Sequence, residues 1–188
     1  MFNICQTKFR GRPDSAEGRT AMEMASYDLL DSLSIAYDRV DHDHADTIED
    51  CHAVEEVLGH SVCKNLFLCN RQKTQYYMLM LEGDKVFKTK DLSKQLEVSR
   101  LSFASGEDME ALLGVHPGSV TVLGLMNDKE NKVQLVMDKP IYDAEFVSCH
   151  PCISTSTLTI KKSDLLEKFL PAVGHTPIVV DLPIPEDE

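Results

Sequence analysis

Residues 64–81, KNLFLCNRQKTQYYMLML, contain two apolar segments separated by a short polar stretch. The segments KNLFLCN and QYYMLML have the length and composition typical of β-strands. The residues between them, around Asn70 to Lys73, have the polar character of a turn. This stretch therefore predicts a β-hairpin in the middle of the chain.

Helices are predicted on both sides of this hairpin. Apolar residues at helical spacing predict a first helix over residues 21–34. Capping-box patterns open two others, over 47–59 and 105–114, and each of these ends at a glycine. A short helix is expected over 91–96, and a final one over 163–170, where a proline follows.

Further strands are predicted in five segments: IAYDRVDH (35–42), SVTVLGLMN (119–127), KVQLVMD (132–138), EFVSCH (145–150) and TSTLTI (155–160). The second and third of these flank a turn and are expected to form another hairpin. Strands mostly follow one another through tight turns, which favours antiparallel or mixed pairing over repeated βαβ units. The predicted fold class is α+β, with a curved mixed or antiparallel central sheet and flanking helices.

Length and composition indicate one domain with two extensions. The chain has 188 residues, and its 43% apolar content is sufficient for a core. Residues 1–20 have little apolar periodicity and are interpreted as an N-terminal arm, residues 21–177 as the domain, and residues 178–188 as a C-terminal tail. No membrane-spanning run or signal peptide is recognised, and six cysteines are too sparse for a disulfide framework, so a cytoplasmic protein is expected.

The charge excludes one class of function. Acidic residues outnumber basic ones 31 to 19, and the net charge is −12. A broad nucleic-acid-binding surface needs many lysine and arginine contacts to phosphates, so it is not expected here. A ligand that is touched through only a few phosphates remains compatible with this composition.

The segment CHPC, residues 149–152, raises two chemical alternatives. Cys149 and Cys152 have the spacing of one zinc-binding pair, but no second pair with matching spacing occurs. A cysteine nucleophile would need a histidine beside it, and the neighbours Cys149 and His150 would face opposite sides of a strand. Buried thiols acting as small apolar groups are the favoured interpretation, and no metal ligand set is assigned.

Other residues leave a structural and a functional interpretation open. Lys64 opens an apolar strand, either as an exposed edge residue or as a cation at the mouth of a pocket. The segment GVHPGSV, residues 114–120, is either a simple turn or a set of backbone donors for an oxyanion. His42 and His44 lie in the segment DHDHADT, which is interpreted as a loop. Three interpretations stay open for them: ligands, a general base, or loop residues without a functional role.

Five segments together resemble a known family. KNLFLCN, RLSFAS, LGVHPGSVTVLGLMND, CHPCISTSTL and DLLEKFLPAVGHTP occur in the order and spacing of the YbaK/prolyl-tRNA-synthetase-associated editing-domain family. The chain looks most like the free-standing prolyl-tRNA editing members of that family. The resemblance extends from about Tyr27 to Pro177, and GRPDSAEGR near the start is similar to the arm of the family.

The resemblance implies roles for particular residues. The implied catalytic residues are Lys64, Gly118 and Ser119. The implied substrate-binding residues are His42, Thr47, Asn65, Gly114, Pro117, His150, Ser154 and Thr155. Two departures affect the pocket: Ser154 stands where the family usually has asparagine, and Ala45 with Asp46 replaces its usual apolar residues.

The resemblance also implies an activity. The implied activity is the trans-editing hydrolysis of the ester that joins a wrong amino acid to tRNA(Pro). Alanine is the leading candidate for that amino acid, and no cofactor or metal is expected. An aminoacyl ester is already activated, so a positioned water, a stabilised oxyanion and help from the vicinal ribose hydroxyl are expected to suffice. The implied partner is the acceptor end of the tRNA, with a transient association with prolyl-tRNA synthetase or an elongation factor as a further expectation.

Three alternatives stay open on the sequence. The first is a deacylase for another small amino acid, serine or cysteine, for which the polar Asp46 and Ser154 are the motive. The second is a non-catalytic module that senses aminoacyl-tRNA or a free amino acid. The third is an interaction protein structured by zinc. The oligomeric state is not determined by any pattern in the sequence.

Overall fold

The computed structural model describes residues 2–45 and 47–184, in which helices pack against two β-sheets. The antiparallel first sheet has the order β1-β2-β8-β7, with strands β1 (Phe9–Arg10), β2 (Tyr37–Asp41), β7 (Phe146–Cys149) and β8 (Ser156–Lys161). The mixed second sheet has the order β5-β3-β4-β6-β9, with strands β3 (Cys63–Cys69), β4 (Tyr76–Glu82), β5 (Ser102–Phe103), β6 (Val133–Asp138) and β9 (Ile178–Val180). The α+β class predicted from the sequence is confirmed, with the strands divided between two sheets.

The helices lie between and around these sheets. They are α1 (Ala21–Ser32), α2 (Ile48–Leu58), α3 (Thr89–Gln95), α4 (Gly106–Leu113), α5 (Lys139–Asp143), α6 (Lys162–Asp164) and α7 (Leu170–Val173). A 3₁₀ helix at Val122–Asn127 and a π-helical turn at Leu165–Phe169 complete the helical segments.

The central hairpin is present as predicted. β3 and β4 are antiparallel, and Lys64 pairs with Leu81 at one end while Cys69 pairs with Tyr76 at the other. The Asn70 side chain fixes the turn, because its Oδ1 accepts from the backbone N–H of Thr74 at 2.9 Å. The site described below lies at the opposite end of the hairpin from this turn.

Local capping determines where α2 and α4 begin and end. Thr47 and Asp50 form a reciprocal capping box at α2, and Ser105 with Asp108 does the same at α4. Both helices end at a glycine in the left-handed conformation, where φ is 81° at Gly59. The boundaries predicted from these patterns are therefore confirmed.

The second sheet is buried on both of its faces. Phe67 of β3 packs into the larger core together with α1 and the first sheet, while its neighbour Leu68 packs into a smaller core under α3. Leu79 and Met80 of β4 alternate between the same two cores and have no exposed surface. This double burial explains why the strands appear as continuous apolar runs.

The predicted strand at residues 119–127 is wrong. Val122–Asn127 forms a 3₁₀ helix, and the Thr121 hydroxyl accepts from the backbone N–H of Leu123. A Cβ at Gly124 would come within 3.2 Å of the Cβ and the carbonyl oxygen of Leu113, so glycine permits this close packing against the end of α4 without a shift of its neighbour. The predicted second hairpin is also wrong, since β6 pairs in parallel with β4.

The predicted end of the last helix is wrong as well. The helical segment continues past Pro171 to Val173 and stops at Gly174, where φ is 78°. The π-helical turn at Leu165–Phe169 explains why the proline does not end the helical segment. Pro171 lies in the first turn of α7, a position at which a residue needs no backbone N–H donor.

The predicted arm lies along the first sheet. β1 pairs with β2, and the backbone N–H of Cys5 donates to Asp41 O at 2.9 Å. Arg19 binds the Asp41 carboxylate at 2.6 Å and so fixes the arm beside the end of β2.

The predicted tail contributes to the second sheet. β9 pairs in parallel with β6, and Leu182 packs into the smaller core. The domain boundaries themselves stay predictions. Within the described part of the chain, no helix is both long and apolar enough to cross a bilayer.

Candidate active site

A cavity of about 250 Å³ lies beside the first residues of β3. Its walls come from α2, the start of β3, the loop that follows β4 and the loop that follows β7. The polar and charged lining residues are Thr47, Cys51, His52, Glu55, Lys64, Asp84 and His150. Thr47, Cys51 and Glu55 are spaced four residues apart, which places them on one face of α2.

A small recess of about 40 Å³ adjoins this cavity. It shares Ala45, Cys51, Val62 and His150 with the larger space, and it adds Val54, Ser154 and Thr157. Because one water needs roughly 10–15 Å³ of such volume, the recess has space for only a few atoms.

Lys64 lines the cavity as a cation at the end of the hairpin. Its Nζ donates to the backbone carbonyl of Lys85 at 2.9 Å. This hydrogen bond uses one of the three N–H groups of the ammonium, and the side chain stays partly exposed. The remaining donors are available to a ligand.

His150 lines both the cavity and the recess. Its Nδ1 lies 2.8 Å from the backbone carbonyl of Ser156, which can only accept, so Nδ1 carries the proton. Nε2 is then the acceptor nitrogen of the ring. Burial lowers the pKa of His150, which favours this neutral form at physiological pH.

His42 lies behind His150, with the two ring centroids 6.4 Å apart. Its Nδ1 donates to the backbone carbonyl of Asp43 at 2.6 Å, and its Nε2 accepts from the Thr157 hydroxyl at 2.8 Å. Burial lowers the pKa of His42 too. His42 therefore supports the wall of the recess through Thr157 and does not itself line the described cavity.

These two imidazoles predict how stability depends on pH. Their pKa values in the folded state lie below the value of about 6.5 in an unfolded chain, so the unfolded state binds more protons as the pH falls through 6.5. We expect the free energy of unfolding in urea to be lower at pH 5.5 than at pH 7.5, by up to about 1.4 kcal/mol per pH unit for each imidazole.

Variants separate this effect from other titrations. His42→Asn and His150→Asn should each reduce the loss of stability between the two pH values, whereas the matched change at the exposed His116 should leave it as in the wild type. An equal loss in all four proteins would contradict the assignment to the buried imidazoles.

Two carboxylates add negative charge to the cavity. Glu55 is oriented by the backbone N–H of Val62, which donates to Oε1 at 2.8 Å. Asp84 lies 3.7 Å from His52 Nε2 on the other side. The cavity therefore presents one ammonium group and two carboxylates to a ligand.

Ser154 and Thr155 occupy the loop between β7 and β8. Ser154 lines the recess, and its hydroxyl forms a hydrogen bond with Nδ1 of His44. The Thr155 carbonyl accepts from the backbone N–H of His42 at 2.9 Å. Asp46, the other polar residue noted in the sequence, lies outside the described residues.

The glycine-rich loop is placed elsewhere. In the described part of the chain, none of residues 114–119 lines the cavity or the recess. Gly114 ends α4, Pro117 packs near Gly106, and the backbone N–H of Ser119 closes a turn onto His116 O at 2.9 Å. The loop is linked to the site through Thr121, whose hydroxyl donates to the His150 carbonyl at 2.7 Å. The roles predicted for Gly118 and Ser119 stay predictions.

Asn65 follows Lys64 but lies on the opposite face of β3. Its Oδ1 is buried and has no hydrogen-bond partner among the described residues. Its predicted role in substrate binding therefore also stays a prediction.

Three buried cysteines, Cys63, Cys149 and Cys152, are held in the protonated form. Burial raises the pKa of Cys63 and of Cys152 to about 11, and it raises the pKa of Cys149 further. Thiols with such pKa values are poor nucleophiles at neutral pH. The described residues contain no group of three or more histidine, cysteine or acidic side chains that could hold a metal ion.

Sequence reasoning missed several lining residues. Cys51 and Glu55 could have been found from their helical spacing to Thr47, which was already a candidate. Asp84 and Val62 carried no signal, because only the fold brings their loops beside Lys64.

With this geometry established, the comparisons define the class of protein. Residues 42–168 match the model of the family described as the aminoacyl-tRNA editing domain. This match covers more than half of the chain, which therefore belongs to that family. The family and the class of enzyme predicted from the sequence are thereby confirmed.

Particular relatives agree with this assignment. The chain is 31% identical over 153 residues to a prolyl-tRNA editing protein, ProX, from Acetoanaerobium sticklandii, covering 81% of this chain and 93% of the relative. It is 32% identical over 156 residues to a prolyl-tRNA synthetase associated domain-containing protein from Mus musculus, covering 81% and 91%. A crystal structure of a proposed trans-editing enzyme for prolyl tRNA synthetase has the same fold, with a TM-score of 0.64, 14% identity, and coverage of 87% of this chain and 97% of that one.

Proposed function

We propose that this protein is a trans-editing deacylase that hydrolyses mischarged tRNA(Pro), with alanyl-tRNA(Pro) as the preferred substrate. The observation that carries this proposal is the joining of Lys64, His150 and a 40 Å³ recess in one cavity. The names of the relatives support tRNA(Pro) as the RNA, and the size of the recess supports alanine as the amino acid.

The recess supplies the discrimination that a synthetase lacks. A synthetase that binds proline excludes the smaller alanine weakly, because each missing methylene changes binding by only about 1–3 kcal/mol. A second site of small volume excludes the larger amino acid by steric overlap. The methyl group of alanine suits a space for a few atoms, and the pyrrolidine ring of proline is too large for it.

The charges suit the two ends of the reacting group. In this proposal the Lys64 ammonium, a cation in the lining of the cavity, binds a phosphate or ribose oxygen of the terminal adenosine. The Glu55 and Asp84 carboxylates suit the α-ammonium of the aminoacyl group. The ester would then lie between these groups, beside His150.

The reaction needs no covalent intermediate on the protein. A water oxygen attacks the ester carbonyl carbon, the bond from that carbon to the ribose oxygen breaks, and the ribose oxygen leaves with a proton as a hydroxyl. Neutral His150 can accept a hydrogen bond at Nε2 from the water or from the vicinal ribose hydroxyl. The raised pKa values of the buried thiols make a cysteine nucleophile unfavourable.

A panel of aminoacylated tRNA(Pro) substrates tests the proposal. Purified protein is incubated with tRNA(Pro) charged with alanine, serine, cysteine or proline, and the rate of ester hydrolysis is measured for each. We expect the alanyl ester to react fastest and the prolyl ester to react at least about 100-fold more slowly.

Other outcomes identify the alternatives. Fastest hydrolysis of the seryl or cysteinyl ester would move the specificity to that amino acid, for which the Ser154 hydroxyl in the recess is the motive. Binding without hydrolysis of any ester would contradict the enzymatic proposal and favour a sensing module.

A further inference from the structure

A buried ion pair lies outside the cavity. Lys85 Nζ is 2.6 Å from Asp138 Oδ2, and the two side chains are only 5% and 0% exposed. Both members of the pair also bind the backbone of Leu182. Lys85 Nζ donates to the Leu182 carbonyl at 2.7 Å, and the Leu182 N–H donates to Asp138 Oδ1 at 2.9 Å. Every polar atom of this cluster therefore has a partner.

The same lysine is connected to the candidate site through its main chain. The carbonyl oxygen that receives the Lys64 ammonium belongs to Lys85. The sheet brings these residues to one end, because Lys64 pairs with Leu81 and the neighbouring Met80 pairs with Met137, which precedes Asp138. The backbone that holds Lys64 is thus fixed by a side chain anchored in the core.

The buried Lys85–Asp138 ion pair fixes the position of its partners more than it adds to the stability of the fold. Removing two charges from water is costly, and a buried ion pair is often no more stabilising than apolar residues of the same size. What such a pair does provide is a defined position for its partners when all hydrogen bonds are made. Here the defined position includes the carbonyl of Lys85 in the loop that lines the cavity.

We propose that Lys85 and Asp138, braced by the Leu182 peptide, are positioning residues that hold the Lys64 ammonium at the cavity. The inference rests on the proposed function, in which Lys64 contacts the substrate. It also makes the segment after β9 part of the support of the active site.

Two variants test the inference, with a matched control. Asp138→Asn and Lys85→Met each remove one charge of the pair. Asp128→Asn changes a second buried carboxylate, which lies 3.0 Å from His175 Nε2 and is 1% exposed. That carboxylate precedes β6 while Asp138 ends it, so the two sites are separated by the length of a six-residue strand, about 20 Å.

The expected result is a loss in kcat that the control does not share. Displacing Lys64 by a fraction of an ångström should lower kcat for the alanyl ester by about 10- to 100-fold in both test variants, with KM within about threefold of the wild type. Asp128→Asn should keep kcat within about threefold at the same temperature, after all variants are shown to unfold cooperatively. Equal losses in the test variants and the control, or no loss in the test variants, would overturn the inference.

A double-mutant cycle distinguishes positioning from general support. If Lys85 and Asp138 act through Lys64, adding Asp138→Asn to Lys64→Met should cause no further loss of rate. A purely structural role predicts that the two losses multiply. Lys85→Met replaces Asp138→Asn in the cycle if the latter does not fold.

A measurement without substrate keeps this inference separate from the proposed function. In protein labelled with ¹³C-lysine, the Cε signal of Lys64 is assigned by its loss in Lys64→Met. That signal should shift in Asp138→Asn and stay unchanged in Asp128→Asn. An unchanged signal in both overturns the positioning role, whereas a wild type that hydrolyses none of the four esters overturns the proposed function alone.

Discussion

Lys64→Met is expected to lower kcat/KM for hydrolysis of alanyl-tRNA(Pro) by about 100-fold or more, because it removes the cation of the cavity. Methionine keeps an unbranched stem of similar length, so the apolar contacts of the side chain are retained. The lost hydrogen bond to the Lys85 carbonyl is made by a partly exposed ammonium. The free energy of unfolding should therefore change by only about 1 kcal/mol.

Two further lysine variants sharpen this test. Lys64→Arg keeps the charge, but the larger, planar guanidinium cannot reproduce the hydrogen-bond geometry of the ammonium at the Lys85 carbonyl. A partial loss of kcat/KM is therefore expected. Lys90→Met removes an exposed lysine from α3 and should leave the rate unchanged. Hydrolysis by Lys64→Met within about threefold of the wild type would contradict the role of Lys64.

Cys51→Phe is the second change with a large expected effect. Cys51 lies on α2 and lines both the cavity and the recess. A phenyl ring is larger than the 40 Å³ recess, so at this position it should block the recess and extend into the adjoining cavity, lowering kcat/KM for the alanyl ester by about 30-fold or more. Since Cys51 is only partly buried, the ring can be accommodated with little strain in the core.

Cys51→Ala is the matched control for this change. It keeps the space open and removes the thiol, so a rate within about threefold of the wild type is expected. Rapid hydrolysis by Cys51→Phe would show that the amino acid binds elsewhere. A loss in Cys51→Ala equal to that in Cys51→Phe would instead assign a chemical role to the thiol.

The two variants should differ in how their effects depend on the amino acid. Loss of the Lys64 ammonium removes contacts to the common tRNA end, so it should slow hydrolysis of every ester by a similar factor. Filling the recess should slow the larger aminoacyl groups more than the smaller ones. Measuring both variants on the alanyl and seryl esters therefore separates binding of the nucleotide from binding of the amino acid.

Local sequence patterns predicted much of the fold. The hairpin around Asn70 was correct, because two apolar strands and a polar turn are adjacent in the chain and interact directly. The capping boxes at Thr47 and Ser105 were correct for the same reason, since a cap involves residues three positions apart. The error at residues 119–127 arose where packing of Gly124 against Leu113 decided the local conformation. The error at Pro171 arose because a π-helical turn before the proline lets the helical segment continue past it.

The candidate site was predicted only in part. Lys64, Thr47, His150 and Ser154 were named from motifs and lie in one cavity or its recess. The glycine-rich loop was named with them, yet the described lining excludes it, and it reaches the site through the bond from Thr121 to His150. Cys51, Glu55 and Asp84 were not named, because their relevance depends on which elements become neighbours.

By itself, the sequence determined the strand pairing of the hairpin, the ends of α2 and α4 and, through five motifs in order, the family. Those features depend on interactions between residues close in the chain or on the order of segments along it. Tertiary structure alone decided that Lys64 is held by Lys85, that Lys85 is anchored to Asp138 and Leu182, and that a recess lies beside His150. These contacts join residues separated by about 20 to 100 positions, and no local pattern encodes such distances.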